Sequence, residues 1–113
     1  MQRINIKPLS VNEAWKGRRF RTDQYKAYQQ HCSLILPRKI DVPEGKLKLT
    51  LIFGLSNMGA DYDNPIKPFQ DIISAKYGFN DNRIYAGYQE KVKVDKGSEF
   101  IAFKLEAFKS SLK

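Results

Sequence analysis

An α+β domain is predicted, with a mixed, largely antiparallel sheet of about four strands and two helices packed on it. Three observations point there. Between residues 46 and 53, Leu47, Leu49, Leu51 and Phe53 alternate with Lys48, Thr50 and Ile52, the period of a half-buried strand. Two other segments repeat apolar residues at spacings of three and four: Tyr25, Tyr28 and Cys32 in the first, Ile66, Phe69, Ile72, Ile73 and Tyr77 in the second. Near the C-terminus, residues 83–94 and 99–107 flank Asp95-Lys96-Gly97-Ser98, which reads as a β-hairpin.

The remaining elements follow in order. Residues 2–8 alternate polar and apolar and read as a first strand, stopped at Pro8. Residues 10–21 are polar and basic. Thr22 supplies a hydroxyl cap for the first helix, and Pro37 ends its apolar tail. The second helix opens around Asn64-Pro65, although Pro68 disfavours a helical Lys67 and blurs the start. There is no repeat, no low-complexity tract and no linker long enough to divide the chain. At 113 residues it should form one domain, spanning 1–113, small enough for oligomerisation to matter.

Charge narrows the function classes. Lys and Arg number 20 against 12 Asp and Glu, a formal charge of +8, which favours a polyanionic partner, nucleic acid before an anionic membrane surface. No apolar run approaches the ~20 residues of a membrane span, and the N-terminus lacks the apolar core of a signal peptide. The single Cys32 excludes an internal disulfide and a cysteine zinc site, so a cytoplasmic protein is expected. Cys32 lies on the apolar stripe of its helix as a small core residue. The single His31 should be exposed and leaves little scope for imidazole catalysis. Gly54 and Gly59 have phosphate-loop spacing, but Ala60-Asp61 follows where Lys-Ser/Thr is required, so no nucleotide cofactor is expected.

The candidate chemistry lies in Asp61-Tyr62-Asp63-Asn64 with Lys67 and Asp71, joined by Asp81 just after Gly78-Phe79. In extended chain the alternate Asp61 and Asp63 point to one side. Lys67 and Asp71, four and eight residues after Asp63, should continue that face along the helix, opposite the Ile/Phe stripe. Mg²⁺ prefers such oxygen ligands, and one or two carboxylates with phosphate oxygens commonly complete its shell. A carboxylate cluster on a basic chain therefore suits a metal-dependent DNA endonuclease, with the metal activating water and a lysine stabilising charge on the phosphate. A plainer alternative stands beside it. Asp63-Asn64-Pro65 is also a helix-start signature, Lys67 with Asp71 an ordinary surface pair, and Asn80-Asp81-Asn82 a turn composition.

A second candidate region is Trp15-Lys16-Gly17-Arg18-Arg19-Phe20-Arg21, which interleaves cations with aromatics. Lys16, Arg18, Arg19 and Arg21, together with Lys67, are the expected DNA-binding residues. The alternative is a solvated loop with Trp15 or Phe20 tucked into the core.

Three blocks make the chain resemble the RusA family of Holliday junction resolvases. They are Pro8-Leu9-Ser10-Val11-Asn12 with the basic run after it, Asp61-Tyr62-Asp63-Asn64-Pro65-Ile66-Lys67 with Asp71, and Gly78-Phe79-Asn80-Asp81-Asn82-Arg83-Ile84. Their order and spacing are close to the family's over most of the chain. The resemblance implies a single RusA-like endonuclease domain acting in DNA recombination and repair. It implies a homodimer that uses Mg²⁺, with Mn²⁺ as a substitute, to make paired symmetric nicks in branched DNA at four-way junctions. By position, Asp61, Asp63 and Asp81 match the family's catalytic, metal-binding acids, and Lys67 its essential lysine. Asn80 stands where some members carry a second acid, and Gly59-Ala60 where some carry basic residues. Two other functions remain open on the residues: a broader flap or fork nuclease, and a non-catalytic nucleic-acid-binding module. Acids on a phosphate-binding face oppose the latter unless a cation bridges them.

Overall fold

The computed structural model describes residues 1–10, 15–16, 20–57 and 65–112; at 15, 16, 20 and 21 it describes the backbone alone. In chain order the elements are β1 (Gln2–Ile4), β2 (Trp15–Lys16), β3 (Phe20–Arg21), α1 (Asp23–Ile35), β4 (Leu47–Leu55), α2 (Ile66–Tyr77), a 3₁₀ turn (Asp81–Arg83), β5 (Ile84–Lys93) and β6 (Phe100–Ala107). The fold is α+β. One mixed sheet has the order β1-β6-β4-β5, and β2 and β3 form a separate two-stranded ladder.

The sheet is organised by polarity. β4 is central because its core-facing Leu47, Leu49, Leu51 and Phe53 are all essentially inaccessible to solvent. β6 sits beside it, antiparallel, placing Ile101 and Phe103 next to Phe53 and Leu51. On the other side β5 runs parallel to β4, with Gly87, Gln89, Lys91 and Lys93 opposite Leu49, Leu51, Phe53 and Leu55. A strand that polar suits an edge.

The predicted hairpin between residues 83–94 and 99–107 is therefore not formed. β5 and β6 flank β4 instead of pairing with each other. The turn signal itself is real: Ser98 N donates to Asp95 O at 2.9 Å, and Gly97 has φ +96°. That turn lies in a connection across the end of β4, where Val94 N donates to Leu55 O at 2.9 Å. Parallel pairing of β4 and β5 requires a crossover, which α2 supplies. The first strand is also shorter than the predicted 2–8. Ile4 pairs with Ile101, and β6 begins one residue earlier at Phe100, so the partner runs out.

Both helices pack on one face of the sheet. Tyr25, Tyr28 and Cys32 of α1 and Phe69, Ile72 and Ile73 of α2 join the core strands in one buried cluster. Phe69 meets Phe103 edge-on at 5.5 Å. Thr22 caps α1 as predicted, its hydroxyl accepting from Tyr25 N at 3.1 Å. Such a cap contributes about 1 kcal/mol. Helix α2 tolerates Pro68 because the residue falls in the first turn, where its missing N–H has no intrahelical partner to lose. Tyr77 Oη then donates to Pro37 O at 2.6 Å, tying the end of α2 to the chain leaving α1. No helix among the described residues is long and apolar enough to cross a membrane.

Candidate active site

The turn after α2 determines where Asp81 goes. Gly78 ends the helix in the left-handed region at φ +70°, a conformation that other residues rarely adopt. Phe79 N donates back to Ser74 O at 3.1 Å, and the Phe79 ring is buried in the core. Asn80 Oδ1 then accepts from Asn82 N at 3.0 Å, so Asn80 carries the turn's capping chemistry. On the far side, Arg83 Nε donates to Gly45 O at 2.8 Å, and its Nη2 donates to Pro43 O. Asp81 is thus held between a buried aromatic anchor and a guanidinium staple.

This geometry brings Asp81 to Lys67. Lys67 Nζ lies 2.7 Å from Asp71 Oδ1 and 3.7 Å from Asp81 Oδ2. The lysine side chain is 55% exposed, Asp71 18% and Asp81 41%. The ammonium is pushed above its ordinary value, first by the hydrogen bond to Asp71 and then by the charges of Asp71 and Asp81, against partial desolvation. Lys67 stands in the first turn of α2, the positive end of the helix dipole, where acids are favoured and a cation is not. The flanking carboxylates offset that misplacement.

Asp61 and Asp63, and with them the expected metal ligands besides Asp81, lie outside the described residues. So do Arg18 and Arg19 and the side chains of Lys16 and Arg21. Of the basic segment, the backbone shows an antiparallel ladder pairing Trp15 with Arg21 and Lys16 with Phe20, where the sequence suggested a loop. Among the described residues no group of three or more His, Cys, Asp or Glu converges as a metal site. The carboxylate donors that are described, Asp71 and Asp81, suit a hard cation and not a soft one. At the start of α2, the N-cap position is Pro65, whose side chain offers no acceptor. Asp63 and Asn64, the other residues of the expected helix-start signature, lie outside the described residues.

A cleft sets the start of the first block beside Asn57 and Pro65. Pro8 and Ser10 line it together with Asn57, Pro65 and Glu99. Its floor is fastened by the connection between β5 and β6: Ser56 Oγ donates to Glu99 Oε2 at 2.8 Å, and Lys93 Nζ donates to Ser56 O. The Ser56 hydroxyl, aided by backbone N–H groups and by Lys7, holds the Glu99 carboxyl below its ordinary range. Sequence reasoning missed Glu99, which is 43 residues from Ser56 and belongs to no motif. The pairing of Lys67 with Asp71, which their four-residue spacing offered as an ordinary surface pair, is present at 2.7 Å.

The core predictions hold, with Cys32 buried in the α1 stripe and His31 exposed. The chain matches no known protein-family model, and no curated protein matches it in sequence.

Proposed function

We propose that this chain is a metal-dependent endodeoxyribonuclease of the RusA type, cutting branched DNA. The observation that carries the reading is the Lys67 ammonium set between Asp71 and Asp81, two acids from separate motif blocks. Surface design alone gives little reason to place a lysine at a helix N-terminus and surround it with acids, whereas phosphoryl chemistry gives one. The net charge of +8 supports a nucleic-acid substrate.

In this reading Asp61, Asp63 and Asp81 would hold Mg²⁺ or Mn²⁺. The ion would polarise the scissile phosphate and lower the pKa of its bound water. Lys67, kept charged by its neighbours, would face the phosphate oxygens as negative charge builds there. Asp71 would hold Lys67 in place. Cuts paired across a four-way junction need two such sites related by two-fold symmetry, hence a homodimer.

The test is incubation of the purified protein with Mg²⁺ and a panel of four-way, forked and linear duplex DNAs, followed by mapping of the nicks. Symmetric paired nicks at the junction are the expected result. Nicks confined to the fork would favour the broader nuclease. Tight junction binding with no nicking in Mg²⁺ or Mn²⁺ would favour the non-catalytic module.

A further inference from the structure

Four residues after Asp81, the ladder between β4 and β5 is irregular. Leu47 pairs with Ile84 and Lys48 with Ala86, so the register skips Tyr85. A bulge of this kind re-aims a side chain, and bulges are common beside functional sites. The Tyr85 side chain is 59% exposed, on an edge strand. Its ring is backed by Phe108 at 5.9 Å with a 33° tilt, and Lys46 Nζ lies 4.9 Å from the ring centroid. Phe108 is fixed by its backbone, whose N–H donates to Lys46 O at 2.9 Å. An open groove beside the ring is lined by Gly45, Lys46, Asn82, Arg83 and Tyr85, with no acid among them.

The comparison within the same strand is informative. Tyr88 is also exposed, at 51%, but its hydroxyl donates to Glu90 Oε1 at 2.9 Å, which places a carboxylate beside it. Of the two exposed tyrosines of β5, Tyr85 has the cation and the aromatic backing, while Tyr88 has the acid.

We propose that Tyr85, backed by Phe108 and flanked by Lys46, is a stacking platform for an unpaired base of a nucleic-acid strand. Every base has a π-face, so an exposed aromatic joined to a cation binds single strands with little sequence preference. The base lies on Tyr85, and Lys46 swings from the ring to the adjoining phosphate. Asn82 and Arg83 lead from this groove to Asp81 and Lys67, so a strand opened at a branch point passes from platform to candidate active site. The inference rests on the nucleic-acid reading above and adds to it a preference for unpaired nucleotides.

The experiment measures binding in EDTA, by fluorescence anisotropy, of a labelled fork with single-stranded thymidine arms and of a blunt duplex of equal length. Tyr85→Ala should weaken fork binding by roughly five- to a hundredfold, the range for loss of one stacked base, and leave duplex binding unchanged. Tyr85→Phe keeps the ring and should bind the fork like the unmodified chain; Tyr88→Ala should do the same. Equal fork affinity for Tyr85→Ala and the unmodified chain would overturn the proposal, as would equal losses on fork and duplex. A change in oligomeric mass for Tyr85→Ala by light scattering would overturn it too, assigning the patch to contacts between copies. Because no metal is present, the outcome is separable from catalysis. A Tyr85 effect with no nicking anywhere refutes the nuclease alone, and nicking with no Tyr85 effect refutes the platform alone.

Discussion

The Lys67 ammonium lies 3.7 Å from the carboxylate of Asp81, a residue that follows it by fourteen positions and reaches it only because Gly78 reverses the chain. If that meeting is catalytic, binding and cutting should separate by mutation. Asp61→Asn, Asp63→Asn and Asp81→Asn each remove one negative charge with little change of size. Each should lower the nicking rate in Mg²⁺ by orders of magnitude, while metal-free junction binding holds or tightens because less negative charge faces phosphate. Lys67→Ala should lose nicking as well, and added metal should not restore it. Gel assays of nicking and binding on one junction measure both. Nicking by Asp63→Asn at the unmodified rate would remove the catalytic reading.

Asp71 offers a graded version of the same test. It accepts the shortest contact to Lys67, 2.7 Å, and is the first cause of the raised lysine pKa. A raised folded value means that this stabilisation of the charged form is complete below the ordinary 10.5 and is lost only as pH rises through the folded value. Around neutral pH Lys67 is therefore a cation, not a general base. Asp71→Asn should keep it charged but hold it less firmly, giving a nicking loss smaller than that of Lys67→Ala with unchanged metal dependence. A loss rescued by extra metal would instead make Asp71 a ligand.

The helices were legible in the sequence because their signals are local. Thr22 caps, and the stripes through Tyr25 and Phe69 face the core. The strand order was not legible. Asp95 to Ser98 does form a turn, but a turn reports a change of direction and not which strands then pair. Here the polar residues of β5, Gln89, Lys91 and Lys93, fit an edge, while Ile101 and Phe103 of β6 fit the interior. The site divides in the same way. Lys67 and Asp71 are one helical turn apart and could be paired from spacing, whereas Glu99 and Tyr85 gain their roles from distant partners or from a register slip.

Salt dependence tests the basic segment. If Arg18 and Arg19 touch phosphates, their neutralisation should remove counterion release. The double change Arg18→Ala, Arg19→Ala should flatten the slope of log K against log salt by up to ~0.9 for each lost contact. Anisotropy titrations on one junction across a salt series give the slope directly. An unchanged slope would place these arginines away from the DNA.

Gly54 predicts a packing defect that is independent of function. On β4, opposite Phe100 in the ladder, it lies beneath the Phe100 ring; a Cβ there would fall 2.2 Å from Phe100 Cδ1. Phe100 is itself buried at 8% exposure and is covered by the Arg3 guanidinium, 3.8 Å from the ring centroid. The ring has little freedom to retreat, so Gly54→Ala should cost about 1–3 kcal/mol as an overpacking change. Thermal and urea melts would measure it. Phe100→Ala should cost less in the Gly54→Ala background than in the unmodified chain, a non-additivity that marks direct contact. Full stability of Gly54→Ala would show that the ring moves aside freely.

Cys32 sets an alkaline limit on the fold. Burial raises its thiol from the ordinary 9.0 to about 12, and Tyr28 only partly counters this. The folded chain therefore keeps its thiol proton at pH values where the unfolded chain has released it. Stability contributed by the neutral thiol is complete below 9.0 and falls as pH rises from there toward about 12. Between 9.0 and the ordinary tyrosine value of 10.0, before Tyr28, which burial also raises, adds its own effect, the slope from this one group should approach ~1.4 kcal/mol per pH unit. Cys32→Ala should be less stable at neutral pH by about 1 kcal/mol yet lose stability more slowly through that window. Urea midpoints measured across the window for both chains decide the matter. Parallel falls in the two would mean that Cys32 is not the group that titrates.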